Sequence, residues 1–149
     1  MGGDTNKAKD IYVRTLLGFD ATWSNYGSGT IGDLVAMLAE HNIGALVVSA
    51  DGRTIAGIVS ERDVVHALSR GGEVLAAPVA SIMTSHVYCA PPEAKIDDLM
   101  HLMTEKRVRH IPVTDAEGIL MGIVSIGDVV KSRLGELEGE RAAMLEYIT

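Results

Sequence analysis

Two tracts decide the architecture: Gly57-Ile58-Val59-Ser60-Glu61-Arg62-Asp63 and Gly122-Ile123-Val124-Ser125-Ile126-Gly127-Asp128. They lie 65 positions apart, and the same ungapped offset sets Ile31 on Ile96, Asp33 on Asp98, Leu34 on Leu99, Glu40 on Glu105 and Val48 on Val113. Conservative pairs fill the intervals, among them Met37 with Leu102, Ile43 with Val108 and Leu46 with Ile111. A constant offset held over this length means one unit written twice.

Each copy reads as strand, helix, strand, strand, helix, an α+β (mixed α/β) unit. Thr30 followed by Asp33 matches a capping box, and Ile31, Leu34, Met37 and Leu38 recur at helical spacing up to a stop near Gly44. Leu46 to Val48, the Asp51-Gly52 turn and Ile55 to Val59 then predict a hairpin of buried strands, and a second helix opens at Ser60. Thr22 to Ser24 and Val87 to Cys89 are the expected first strands, and Pro112 is expected at a strand start or edge, where a missing N–H is tolerated. The copies are assigned to residues 7–72 and 73–133, with a C-terminal helix over 134–149. Leu134, Leu137, Arg141, Met144 and Ile148 give that helix a contact stripe that fits its own chain or a second subunit equally. Units of about 60 residues are marginal alone. The copies are therefore expected to pack about a pseudo-twofold axis, leaving two clefts between them.

Composition removes several classes of function. The 149 residues are 47% hydrophobic but 4% aromatic, so the core must be aliphatic. Thirteen basic residues against twenty acidic ones oppose non-specific nucleic-acid binding, which depends on clustered cations. No apolar stretch reaches the ~20 residues of a membrane span, and the polar Met1–Asp10 terminus lacks an export signal. The single cysteine, Cys89, forms no internal disulfide and suggests a reducing, cytoplasmic setting. Ser125 stands one residue out of place for a nucleophile elbow, His86 and Cys89 have no second pair at metal spacing, and Gly27-Ser28-Gly29 lacks the Lys of a phosphate loop. No catalytic or metal-binding set is therefore expected.

The repeated tract itself carries legible chemistry. A strand ends, a Ser opens a helix, and an Asp stands on the first helical turn, where free N–H groups favour anions. A carboxylate accepts hydrogen bonds from both hydroxyls of a ribose, and a Ser hydroxyl can bind a sugar or phosphate oxygen. The same S-x-x-D pattern also describes an ordinary helix cap, and recurrence alone does not separate the two.

The two tracts, with Asn42-Ile43-Gly44-Ala45-Leu46-Val47-Val48 and Arg107-Val108-Arg109-His110-Ile111-Pro112-Val113, resemble tandem cystathionine beta-synthase (CBS) domains. The resemblance covers roughly residues 7 to 133 and extends to small stand-alone bacterial proteins with one CBS pair. It implies a Bateman module: a non-catalytic regulatory unit that binds AMP, ADP, ATP, S-adenosylmethionine or NAD between its repeats and requires no cofactor. It further implies that Asp63 and Asp128 hold ribose hydroxyls with help from Ser60 and Ser125. Ile43, Gly44 and Ala45, and the stretch Val108, Arg109, His110, Ile111 and Pro112, would border adenine or phosphate. A homodimer and a separate regulated protein follow from the same resemblance; a scaffold with vestigial clefts is the alternative.

The copies differ where phosphate would lie. Lys106, Arg107, Arg109 and His110 stand opposite His41, Asn42, Gly44 and Ala45, and Arg62 opposite Gly127, so the clefts are expected to be unequal. Lys106 and Arg107 also suit a helix C-terminus, whose dipole favours cations.

Overall fold

The computed structural model describes residues 7, 8, 22, 23 and 29–148. Ser24, the Gly27-Ser28 turn and most of the 1–10 terminus lie outside the described residues. The first copy contains β1 (Thr22–Trp23), α1 (Ile31–His41), β2 (Ala45–Val48), β3 (Gly57–Ser60) and α2 (Glu61–Ser69). The second contains α3 (Ile96–Lys106), β4 (His110–Thr114), β5 (Leu120–Ser125) and α4 (Ile126–Ile148). β1 runs parallel to β2, β2 pairs antiparallel with β3, and β4 and β5 form a separate antiparallel pair.

The repeat survives into atomic detail. Ile31, Leu34, Leu38, Leu46, Val48, Val59 and Val64 are buried in the first core, and their counterparts Ile96, Leu99, Met103, Ile111, Val113, Val124 and Val129 in the second. Each such side chain is worth about 1.5–3 kcal/mol when fully buried, so both cores rest on the same positions. α1 and α3 both end on a left-handed residue, Asn42 (φ 51°) and Arg107 (φ 54°). The next N–H then turns back onto the helix, Ile43 onto Leu38 O and Val108 onto Met103 O, each at 3.1 Å.

Segments cross between the copies. Val74, Ala77, Val79, Ile82 and Met83 pack on the first core, whereas Ala8 is sealed inside the second and its N–H donates to Ala94 O at 2.8 Å. A third cluster, Val47 and Ile123 with Ile55 and Leu120, joins the two sheets and gives the halves a shared interior.

One expected strand does not form. Val87 to Cys89 is irregular, and only Ala90 bridges Val113. Pro112 supplies the reason. On the edge of β4 away from β5, Ala90 N–H donates to Pro112 O and Thr114 N–H donates to Ala90 O, both at 3.0 Å. The next rung would need an N–H from Pro112, which has none. Its counterpart in the first copy is Val47, and there the ladder continues as β1. Pro112 thus lies inside β4 but on a sheet edge. α4 is one unbroken helix across residue 134, and its Leu134, Leu137, Met144 and Leu145 are exposed.

Candidate functional site

β3 delivers Ser60 to the start of α2, where Ser60 and Asp63 close a reciprocal cap. Ser60 N–H and Oγ–H donate to Asp63 Oδ2 at 2.8 and 3.1 Å, and Asp63 N–H donates back to Ser60 Oγ at 3.4 Å. Ser125 and Asp128 repeat the arrangement at α4, with distances of 2.9, 2.8 and 3.1 Å. The capping bonds to each carboxylate all fall on Oδ2. These capping bonds use one oxygen of each carboxylate, so the two meanings of S-x-x-D are compatible.

A cleft of about 670 Å³ opens at the first of these caps, within the range that suits a nucleotide-sized ligand. Gly44, Ala45, Ser60, Arg62 and Asp63 form its first-copy wall. The second copy reaches across with Val108, Arg109 and His110, so the cap of one repeat faces the basic strip of the other. The cleft thus gathers eight of the expected residues. Ile43 packs against the first core, Ile111 and Pro112 are fully buried in β4, and Ser125 and Asp128 stand outside this cleft at the start of α4. By the 65-residue offset, the wall of a second cleft would fall partly on residues 19–23, mostly outside the described set.

Sequence reasoning did not place Glu61, His66, Thr84 or His86 in the cleft, nor choose between ligand and dipole for Arg107, which lines it. Thr84 is clamped there by paired N–H···O bonds with Ile58, each 2.9 Å. That long-range bridge leaves no local sequence signal. Lys106 is not part of the lining; its Nζ lies 5.6 Å from the ring centre of Tyr88, a cleft residue whose ring His86 meets edge-on at 5.5 Å. Arg107 lines the cleft while holding the same left-handed backbone as Asn42, its counterpart at the end of α1.

His110 belongs to the second-copy wall. A β-carbon on Gly44 would lie 3.4 Å from its Nε2 and 3.5 Å from Glu61 Oε1, so imidazole and carboxylate flank the same glycine. Burial pushes the His110 imidazole below its ordinary value, and Arg109 adds to this, against the opposing pull of Glu61 and Asp128. Among the described residues no group of three or more His, Cys, Asp or Glu is placed to hold a metal. Cys89 has its thiol pushed up by partial burial, which opposes a reactive thiolate.

The CBS domain family profile matches residues 27–70 and 79–135, both copies in turn. The chain belongs to the CBS domain family. The CBS domain-containing protein CBSX3, mitochondrial, of Arabidopsis thaliana is 39% identical over 124 residues, 80% of this chain. The chain spans 60% of that relative's length. The crystal structure of the CBS-domain containing protein ATU1752 from Agrobacterium tumefaciens is 40% identical, with a TM-score of 0.66 over 70% of this chain and 82% of that one. A second solved structure, CBSX2 in complex with AMP, is 25% identical, with a TM-score of 0.71 over 87% of this chain and 97% of that one. No helix among the described residues of this CBS pair is long and apolar enough to cross a membrane.

Proposed function

We propose that this CBS pair is a non-catalytic sensor of adenosine-containing ligands, of the AMP, ADP and ATP class with NAD as a larger member, bound in the cleft at Ser60 and Asp63. The observation that carries this reading is the pairing across one cleft of a capped carboxylate and the basic strip Arg107 to His110. Asp63 would take the ribose diol, Ser60 would assist, and Arg62, Arg107 and Arg109 would meet phosphate. The AMP complex of a protein with the same fold supports the ligand class.

A ligand that touches both repeats binds more tightly to one arrangement of the halves than to another, and that difference is the signal it can transmit. The receiver would be a separate protein in the cytoplasm. A homodimer is the expected assembly: Val65 and Leu68 on α2 and Val130 and Leu134 on α4 are exposed apolar side chains, and light scattering tests it directly.

A thermal-shift panel of AMP, ADP, ATP, NAD and S-adenosylmethionine tests the sensor reading. A ligand at about 100 times its Kd adds about 2.7 kcal/mol to stability. Absence of a shift with every member would overturn it in favour of a scaffold with vestigial clefts.

A further inference from the structure

Three of the five histidines in the chain, His66, His86 and His110, line the one cleft that also holds Arg62, Arg107 and Arg109. Histidine is the side chain whose charge changes near neutral pH, so their convergence on an anion-receptive cleft calls for a physical account. His66 sits on α2 and His86 on the segment before Ala90, while His110 begins β4, and all three face the same space from different elements.

His110 is the best placed of the three. Its ring lies against Gly44 of the opposite repeat, beside the Glu61 carboxylate. Glu61 from α2 and Asp128 from α4 act on it from the elements packed around it, and Arg109 acts from its own strand. Asp63, His66 and Arg62 on α2, Arg107 before β4, and His86 and Tyr88 on the crossing segment complete the ionisable lining. With His110 neutral, the place where the two repeats meet at Gly44 presents the Glu61 carboxylate beside an uncharged ring, and the cations facing a phosphate are the arginines of the lining. A proton on the imidazole adds a cation at the crossing of the two repeats.

We infer that the cleft takes up a proton together with a phosphate-bearing ligand, His110 being the group that charges, so that acidification tightens binding. The inference rests on the nucleotide reading above and adds a second input to it: the module would report ligand and pH jointly. Burial favours the neutral ring in the empty cleft, and the arriving anion reverses that preference. By linkage, a ligand that raises the midpoint of one histidine by about one unit binds about tenfold tighter at the acid limit than at the alkaline limit. A ligand without phosphate has no such effect.

The test uses the full chain with AMP and adenosine as probes. Calorimetry at pH 6, 7 and 8, in buffers of contrasting ionisation enthalpy, measures affinity and protons taken up together. The second ionisation of AMP itself is common to wild type and His110→Asn, so the difference between the two proteins isolates the histidine. The expected result is net proton uptake by wild type with AMP, affinity several-fold higher at pH 6 than at pH 8 relative to His110→Asn, and no such difference between the two proteins with adenosine. Ring resonances followed by NMR in the wild-type protein give a readout free of mutation: saturating AMP should move the His110 midpoint upward. An unmoved midpoint, or identical AMP profiles in wild type and His110→Asn, would overturn the inference while leaving nucleotide binding intact. Failure of both AMP and adenosine to bind at any pH would instead remove the nucleotide reading, and the inference with it.

Discussion

Thr54 forms an antiparallel bridge with Ile119, the residue that stands in its own place in the other copy. Only a twofold relation brings a position against its counterpart, so this bridge marks the pseudo-axis, and Leu120 N–H donating to Arg53 O at 2.8 Å reinforces it. Beneath the bridge, Val47 and Ile123 make the shared core. Ile123→Ala should therefore act on both halves at once, lowering stability by about 2–4 kcal/mol through the cavity it leaves. Urea denaturation followed by circular dichroism measures the loss. A change below 1 kcal/mol would mean that the junction contributes little to holding the repeats together.

Asp51 holds Thr54 in position. Thr54 N–H, Arg53 N–H, the Thr54 hydroxyl and the Ser49 hydroxyl donate to its carboxylate at 2.7, 2.8, 2.9 and 3.0 Å. These donors, the Thr54 amide foremost, hold the Asp51 carboxyl far below the usual carboxylate range. A carboxylate depressed in the folded state stabilises it fully above the unfolded value near 3.9, and that contribution disappears as pH falls toward the folded value. The urea midpoint of wild type should thus fall more steeply between pH 5 and pH 2 than that of Asp51→Asn, which has no such charge to lose. Parallel profiles would show that the turn does not depend on ionised Asp51.

The helix caps separate folding from binding. Thr30 and Asp33 form the same reciprocal box at α1 that Ser60 and Asp63 form at α2, yet Asp33 lies outside the cleft. Asp33→Ala and Asp63→Ala should each lower stability by about 0.5–2 kcal/mol. Only Asp63→Ala should also weaken ribonucleotide binding, by about 1.5–3 kcal/mol for a lost charge-assisted hydrogen bond. Calorimetry on both variants makes the comparison, and equal affinities would confine Asp63 to capping.

Gly57 shows how the cleft wall is held. A β-carbon there would lie 2.8 Å from Met83 Sδ and 2.9 Å from the Thr84 carbonyl oxygen. The thioether can yield, but the carbonyl belongs to the backbone that pairs with Ile58. Gly57→Ala should cost about 1–3 kcal/mol by overpacking and push Thr84 into the cleft. A variant with wild-type melting temperature and ligand affinity would show that the segment moves aside freely.

The fold was legible because repetition multiplies weak signals. One Ile-x-x-Leu spacing is ambiguous, but Ile31 and Leu34 recurring as Ile96 and Leu99 tie two cores to the same positions. The strand expected at Val87 failed because a local apolar pattern does not register the donor that Pro112 lacks on the neighbouring strand β4. The site was legible by halves for a similar reason. Ser60-x-x-Asp63 and the Arg109-His110 strip are each visible in the chain, but their meeting across the repeats is a tertiary fact. Glu61 and His66 carried no sign at all, since a helix start and a helix face explain them equally well.

Arg107 offers the sharpest division between structure and function. Its φ of 54° costs a residue with a side chain about 1–2 kcal/mol, a cost that glycine does not bear. Were Arg107 present only to close α3 and complement its dipole, glycine would serve the bend as well, and nothing beyond stability would respond. Its side chain lines the cleft, however, on the wall opposite Asp63. Arg107→Gly should therefore leave the melting temperature unchanged or raise it by about 2–4 °C per kcal/mol of relieved strain. The same change should weaken AMP by about 1.5–3 kcal/mol while sparing adenosine, because the lost contact is to phosphate. A thermal melt and a pair of calorimetric titrations decide between the alternatives: unchanged AMP affinity would assign Arg107 to the helix terminus, and equal weakening of both ligands would assign it to the shape of the cleft.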